Sequence, residues 1–229
     1  MSHKVNGDIM NEKKVEHQRK YWEGERERRP PEHPVIEAFV SPKINYIRDY
    51  ADLSKNTKLL DVGCGNGFFT YYFSKFADTI GLDYSRYMLS INPCNTLVQG
   101  SALSLPFKNE TFDFVFCSNL LHHVEDPTIV VREMTRVSKK YVILSEPNRN
   151  NPLMALFSAM IPEERGALKF SLKYMERLVE FLGLKVIDSC SMGSIVPNKT
   201  PISLLKCFLK IDCKAPFMLC NVVISHKQI

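Results

Sequence analysis

The chain has 229 residues, of which 45% are hydrophobic and 24% charged, and its formal net charge is +5. This composition is typical of a soluble globular protein and excludes a collagenous, disordered or disulfide-scaffold chain. The length allows one large domain or one domain with an appendage. The positive charge is mild and dispersed, so by itself it does not indicate a nucleic-acid partner.

The N-terminal residues 1–54 are predicted to form a helical cap or lid. Residues 1–30 carry charges of both signs, interrupted by Tyr21 and Trp22. They are compatible with a solvated, frayed helix or with a lid whose aromatic pair closes over a substrate. Three prolines then break the chain, and the apolar spacing after them predicts a helix over residues 35–53.

Targeting and metal signals are not visible in the sequence. The polar residues 1–20 lack the apolar core of a signal peptide, and no run of 18 apolar residues occurs, so we expect a cytoplasmic protein without a transmembrane helix. The seven cysteines are odd in number and include no Cys-x-x-Cys pair. We therefore expect buried, reduced thiols and no bound metal.

From residue 58 onward, short apolar runs alternate with helical patterns. Strands are predicted over residues 58–62, 79–83, 96–99, 112–118 and 141–145, then 184–188 and 217–224, and helices over 128–137 and 172–182. Such alternation indicates an α/β fold with a parallel sheet and right-handed crossovers. No crossover of helix length is evident between the last two strands.

A glycine loop follows the first predicted strand, in the sequence Asp61-Val-Gly-Cys-Gly-Asn-Gly67. Glycines at a strand-to-helix junction allow a tight turn and a close approach of a ligand. Asp83 ends the next strand, 20 residues after Gly63, where a carboxylate can accept both hydroxyl protons of a ribose. The spacing is Gly-x-Gly-x-Gly rather than the dinucleotide Gly-x-Gly-x-x-Gly, and Asp61 suits an amino group better than a pyrophosphate. A ligand that contains a nucleoside is therefore expected at the carboxyl edge of the predicted sheet.

Five segments in order resemble the class I S-adenosylmethionine-dependent methyltransferases, in particular the small-molecule branch that contains the ubiquinone and menaquinone biosynthesis methyltransferases. These segments are residues 60–67, 81–85, 100–107, 112–115 and 120–127. The resemblance implies a Rossmann-like three-layer sandwich around a seven-stranded, mostly parallel sheet with an antiparallel last strand. It also implies a cofactor-binding domain over residues 55–229, with an insert at about 192–216.

The resemblance implies contacts to S-adenosylmethionine at the ends of several strands. The implied positions are Asp61, Gly63, Cys64, Gly65, Gly67, Asp83, Tyr84, Ser101, Ala102, Asn119 and Leu120. The glycines would pass beneath the methionine and ribose, Asp61 would lie near the amine, and Asp83 would hold the ribose. Tyr84, Ser101 and Ala102 would border the adenine, and Asn119 and Leu120 the methionine. Ser101 departs from the family, which usually has Asp there, and so does Ser138-Lys-Lys140, where the family has Pro-Gly-Gly.

The sulfonium methyl is already activated, so an in-line displacement mainly needs alignment and a dry pocket. A general base is needed only if the acceptor must lose a proton. His122, His123 and Glu146 are the candidates, and local hydrogen bonding or loop capping is the alternative role of each. Tyr21, Trp22 and Asn148 are candidate substrate residues.

The acceptor site is expected to be built from residues outside the common core, in 151–170 and 192–216. Residues 201–214 combine apolar side chains with Lys206 and Lys210, which is compatible with a peripheral membrane contact, an apolar substrate or a plain packed helix. We predict a small, partly apolar acceptor and no nucleic-acid partner. The alternatives are an RNA or protein methyltransferase and a non-enzymatic protein that binds S-adenosylmethionine.

Overall fold

The computed structural model describes residues 23–24 and 28–228. Its strands form one sheet, in the order β3-β2-β1-β4-β5-β7-β6. The strands are β1 (Lys58–Val62), β2 (Asp78–Asp83), β3 (Leu97–Gln99), β4 (Phe112–Ser118), β5 (Ser138–Pro147), β6 (Leu184–Met192) and β7 (Cys220–Lys227). β7 is antiparallel to both of its neighbours, and the pairs from β3 to β5 are parallel. The predicted seven-stranded sheet with an antiparallel last strand is confirmed.

Helices connect these strands. They are α1 (Pro34–Arg48), α2 (Phe68–Phe73), α3 (Arg86–Ser90), α4 (Pro127–Val137), α5 (Pro152–Met160), α6 (Leu172–Phe181) and α7 (Leu205–Ile211), with 3-10 turns at Leu121–His123, Pro162–Lys169 and Ile202–Leu204. Within the described residues, none of these helices is long and apolar enough to cross a bilayer.

Two hydrophobic clusters cover the two faces of the sheet. One joins α1 and α2 to the sheet through residues such as Phe39, Phe73 and Phe116. The other joins α4 and α6 to the opposite face through residues such as Val131 and Met175. Because both α4 and α6 bury one apolar side and expose the other, they form one outer layer of a three-layer fold, and α1 and α2 form the other.

α1 begins at Pro34, whose fixed φ suits the first position of a helix, and it ends at Arg48 rather than at the predicted residue 53. Its apolar side chains are buried in the same cluster as β1 and α2. The division of the chain at residues 54 and 55 stays a prediction, as do the roles of Tyr21 and Trp22, which lie outside the described residues.

The predicted helix within residues 201–214 is divided into a 3-10 turn and the seven-residue α7. No residue of either element is fully buried. Only Leu205 and Phe208 pack partly against the cluster beneath them. The helix in this stretch is therefore only partly packed, and a membrane contact or an apolar substrate stays a prediction.

Candidate active site

The glycine loop lies at the carboxyl edge of the sheet, between β1 and α2. Gly63 and Gly67 have φ of +73° and +90°, the left-handed region that favours glycine. A Cβ at Gly67 would lie 2.5 Å from the Asn92 side-chain oxygen, and a Cβ at Gly63 would lie 3.0 Å from the Leu120 side chain. The loop thus needs glycine both for its backbone and for the neighbours packed against it.

Asp83 ends β2 beside this loop. One carboxylate oxygen accepts the Gly65 amide at 2.8 Å, and the other accepts the Ser85 amide at 2.8 Å. Burial raises the pKa of Asp83, while these amide hydrogen bonds oppose the shift. Since each oxygen has two lone pairs, both keep capacity for a further donor, such as the two hydroxyls of a ribose.

Asp61 lies within β1 and is almost fully buried. The Thr70 hydroxyl donates to its carboxylate at 2.6 Å, and no basic side chain pairs with it in the part of the chain that the structure describes. Burial raises the pKa of Asp61 to about 7. A buried carboxyl without a cationic partner suits a ligand ammonium group, which would restore the missing charge.

The turn after β4 approaches the glycine loop from the other side. Asn119 has a φ of +52°, uncommon for a residue with a side chain, and its amide donates to the Ser145 carbonyl at 2.9 Å. This turn directs the Leu120 side chain over Gly63. The structure therefore places Leu120 against the glycine loop, and the contact of Asn119 and Leu120 with the methionine part stays a prediction.

The remaining predicted cofactor positions differ in what they offer a ligand. Tyr84 is 51% exposed. The Ser101 hydroxyl accepts the Leu103 amide at 3.2 Å and keeps its own proton to donate, and Ala102 is half-buried beside it. Cys64 has a buried thiol that contacts Asn92, so only its backbone belongs to the loop surface. Burial raises the pKa of this thiol.

A buried hydrogen-bonded network lies directly after the Asn119–Leu120 turn. Glu146 accepts the amides of Leu120 and Leu121 on one oxygen, at 2.9 and 2.8 Å. Its other oxygen is 2.5 Å from Nδ1 of His122, and Nε2 of His122 is 3.2 Å from a Glu164 oxygen. His122 thus connects the end of β5 to the 3-10 segment Pro162–Lys169.

The two adjacent histidines have opposite charge preferences. Burial disfavours the His122 imidazolium, but Glu146 and Glu164 outweigh burial and raise its pKa to about 9. Burial and the neighbouring His122 hold the pKa of His123 well below its usual value, and its Nδ1 donates to the Glu163 carbonyl. At neutral pH, His122 is therefore a cation and His123 is neutral.

This charge predicts a pH-dependent stability. The pKa of His122 rises from 6.5 to about 9 on folding, so its contribution is complete below pH 6.5 and is lost as the pH rises through 9. We expect the free energy of unfolding to fall by about 3 kcal/mol across that range from this group. Urea unfolding at several pH values gives the free energy of unfolding as a function of pH, and His122→Gln should reduce its fall between pH 6.5 and 9. His226→Gln, at a half-buried histidine in β7, is the control and should leave that fall unchanged. An equal pH dependence in both variants would contradict the assignment to His122.

The segment carrying Glu164 packs closely on the His122 turn. A Cβ at Gly166 would collide with the carbonyl oxygen of His122. We expect Gly166→Ala to displace the segment and to destabilise the fold by about 1–3 kcal/mol, the usual range for overpacking. Thermal unfolding measures the effect. Leu168→Ala, at a partly exposed neighbour in the same segment, should change little, and equal losses in both variants would refute the close-packing explanation.

Glu146, a candidate base, and Asn148, a candidate substrate residue, are both fully buried. Asn148 donates its side-chain amide to the carbonyls of Pro216 and Met218, both at 2.9 Å, and its oxygen accepts the Asn150 amide. These bonds join the end of β5 to the chain that enters β7. The two side chains therefore serve internal contacts in this structure.

His122, His123 and Glu164 could also hold a metal ion, because one ligand atom from each lies within 4.8 Å of the others. Glu146 on the far nitrogen of His122 would orient that ligand, as carboxylates commonly do. The bonds of His122 to two carboxylates explain its position equally well. A cavity of about 260 Å³ lies beside this group, lined by residues that include Leu121, His122, Pro162, Arg165 and Phe170.

Two N-terminal residues contact the rim of the site. Glu23 accepts the backbone amides of Arg86 and Tyr87, next to the end of β2. Arg29 donates to the carbonyls of Pro197 and Thr200, and the Asn66 side chain of the glycine loop donates to the Arg29 carbonyl. The chain before α1 thus contacts both the adenosine side of the predicted site and the 192–216 insert.

Sequence reasoning missed Glu164, Thr70 and Arg29. The signal for Thr70 was available, since it lies nine residues after Asp61 on the helix that the loop begins. Glu164 contacts His122, 42 residues earlier in the chain, and Arg29 contacts Pro197, 168 residues later. A local sequence pattern cannot predict contacts at such separations.

Residues 60–144 match the family model described as a methyltransferase domain. A ubiquinone biosynthesis O-methyltransferase from Aliivibrio fischeri is 31% identical over 163 residues, which cover 66% of this chain and 68% of that protein. A demethylmenaquinone methyltransferase from Staphylococcus aureus is 33% identical over 117 residues, covering 46% of this chain and 48% of that protein.

Among solved structures, a protein from Thermotoga maritima described as a S-adenosylmethionine-dependent methyltransferase, possible histamine N-methyltransferase, superposes with a TM-score of 0.67. It is 20% identical, and the match covers 85% of this chain and 92% of that one. A likeness at this identity concerns the fold alone.

Proposed function

Since the chain belongs to the class I S-adenosylmethionine-dependent methyltransferases, we propose that it transfers the methyl group to a small, partly apolar acceptor by in-line displacement. The cofactor supplies the activated methyl group on its sulfonium. The observation that carries the proposal is the Asp83 carboxylate fixed by two backbone amides beside a left-handed glycine loop. This geometry suits the ribose and methionine of the cofactor.

The residues of the carboxyl edge fit the cofactor group by group. Asp83 would accept the ribose hydroxyls, and the buried Asp61 would lie near the ammonium. The Leu120 side chain lies over Gly63 and would give the methionine part of the cofactor an apolar contact surface. Tyr84 offers an exposed ring to the adenine, and Ser101 offers a neutral hydroxyl where a carboxylate is usual in the family.

We assign His122 and Glu146 to positioning rather than to proton removal. Glu146 already accepts two amides and a ring N–H, and His122 carries a proton at neutral pH. A protonated imidazole cannot act as a general base. Their role would be to hold the Leu120–Leu121 turn against the methyl-transfer site. His123 is neutral, but the burial and the His122 charge that lower its pKa also make it a weak proton acceptor.

A small and partly apolar acceptor is supported by the surface around the site. The described residues of the 192–216 insert and of α5 present apolar side chains at the carboxyl edge of the sheet. The relatives named above are a ubiquinone biosynthesis O-methyltransferase and a demethylmenaquinone methyltransferase, and these names support a small-molecule acceptor. No nucleic-acid-binding domain is expected in this chain, and RNA or protein acceptors remain outcomes of the test.

The first experiment is calorimetric titration of the purified protein with S-adenosylmethionine, S-adenosylhomocysteine and a nicotinamide dinucleotide. Heat with the first two ligands only is expected. Turnover is then followed as S-adenosylhomocysteine release with catechols that carry alkyl chains of increasing length, and with unmodified RNA and unfolded protein. A KM for the catechol that falls as its alkyl chain lengthens supports the proposal. Turnover of RNA or protein alone would overturn the acceptor class.

A further inference from the structure

α5 has an inverted pattern of burial. Every residue of this helix is apolar except Ser158, and Ser158 is the one that is fully buried, at 2% exposure. Leu153, Leu156 and Met160 are 65%, 59% and 72% exposed. Because they are spaced three and four residues apart, they form one stripe along the outer side of the helix. An exposed apolar stripe of this size marks a contact surface.

The chain from Ile202 to Phe217 extends this stripe. Asn151, which caps α5, donates to the Phe217 carbonyl at 2.6 Å, so the exposed Phe217 ring lies beside the start of α5. Met154 of α5 and Phe208 of α7 pack against the same buried cluster. We call the resulting surface the apolar-basic face. It consists of Leu153, Leu156, Met160, Ile202, Leu204, Leu209, Ile211 and Phe217 with Lys199, Lys206, Lys210 and Lys214.

The exposed charged side chains of this face are all positive. Residues 199–214 contain four lysines against one aspartate, a net charge of +3, and all four lysines are exposed. Asp212, the one acidic residue, is half-buried. Apolar side chains bordered by exposed lysines are the pattern of a surface that lies in the headgroup region of an anionic membrane.

We propose that the apolar-basic face docks this protein on an anionic lipid surface. The apolar side chains would enter the acyl boundary, and the lysines would lie among the headgroup phosphates. A second copy is a poorer occupant, because a two-fold contact through this face would oppose lysines to lysines. The inference goes beyond the proposed function and does not depend on it, since lipid binding needs neither cofactor nor acceptor.

The test is flotation of the full chain with vesicles of phosphatidylglycerol and phosphatidylcholine, and with vesicles of pure phosphatidylcholine. We expect flotation with the mixed vesicles at low salt and loss of it at high salt. Lys206→Gln with Lys210→Gln should weaken partitioning about 30-fold, which corresponds to about 1 kcal/mol for each lysine. Leu156→Ser with Met160→Ser should weaken it at least about tenfold.

Matched controls lie on the opposite face of the sheet and on its edge. Lys173→Gln with Lys185→Gln removes two exposed lysines of α6 and β6, and Phe181→Ser removes an exposed ring of α6. These variants should float as the parent does. All variants should keep the parent's affinity for S-adenosylmethionine, which verifies folding.

Several outcomes would overturn the proposal. They are no flotation with anionic vesicles at low salt, equal flotation with pure phosphatidylcholine, and an equal loss in the control variants. Light scattering after gel filtration measures the oligomeric state and so tests whether a second copy occupies this face. A dimer that Leu156→Ser dissociates, without any vesicle binding, would assign the face to a second copy instead.

Discussion

Replacing Asp83 with Ala is expected to weaken binding of S-adenosylmethionine by about 1.5–3 kcal/mol, or roughly 10- to 150-fold, as for the loss of a charged hydrogen-bond partner. The carboxylate also orders the glycine loop through its bond to the Gly65 amide, so both the contact and its alignment are lost. Calorimetric titration of the variant measures the change.

Asp78→Ala is the matched control for this prediction. Asp78 starts the same strand, β2, at the opposite edge of the sheet, and it is exposed. It should leave the affinity unchanged. If Asp83→Ala binds the cofactor as tightly as the parent, the ribose role is refuted. If both variants lose affinity equally, the loss reflects general destabilisation of β2.

Glu146→Ala is expected to have the largest effect on stability, about 3–5 kcal/mol. The substitution leaves two buried amides without an acceptor and leaves the His122 imidazolium buried beside Glu164 alone. Removing one partner of a buried ion pair characteristically costs this much. Urea unfolding at pH 6.5 measures the loss, and the pH at which half of His122 is protonated should fall in the variant.

Two variants separate this explanation from general sensitivity to substitution. Glu146→Gln keeps an oxygen for the two amides and loses the charge, so it should recover part of the stability but not the raised pKa of His122. Glu110→Ala removes a surface carboxylate that pairs with Lys227, and it should have little effect. A Glu146→Ala variant as stable as Glu110→Ala would contradict the buried network.

Most of the fold could be predicted from the sequence because its strands are short, apolar and bounded by turn residues. The predicted strand over 112–118 matches β4 residue for residue. β5 is longer than predicted, since it begins at Ser138 directly after α4. Ser138-Lys-Lys140, where the family usually has Pro-Gly-Gly, thus lies in the strand itself, at an irregularity in its pairing with β4, and the Ser138 hydroxyl donates to the Tyr141 carbonyl there.

The candidate site divides into a predictable and an unpredictable part. The glycine loop and Asp83 are close in sequence, and the order of strand, loop and strand fixes their meeting at one edge. Glu146 is a candidate base by sequence, a role that stays a prediction, and its hydrogen bonds depend on Leu120, Leu121 and His122, which lie more than 20 residues earlier in the chain. Glu164 reaches His122 only because Gly166 lets that segment lie against the turn, and no local periodicity reports such a contact.

The end of α1 and the division of the 201–214 stretch show the limits of periodicity. Apolar residues at helical spacing predict a helix but not whether anything covers it. In α7 the described chain covers only Leu205 and Phe208, and each of them only in part. The same spacing gives α1 a fully buried side because β1 and α2 lie beneath it.

The position of β7 between β5 and β6 has a consequence for how this chain can change. Since β6 and β7 are antiparallel neighbours, residues 193–219 form a hairpin connection that leaves and re-enters the sheet at one edge. Lengthening such a connection costs only about 0.6 kcal/mol for each doubling. Sequence in this loop can therefore be gained, lost or exchanged while the register of every strand pair is kept, and the strands that carry the glycine loop and Asp83 are left unchanged.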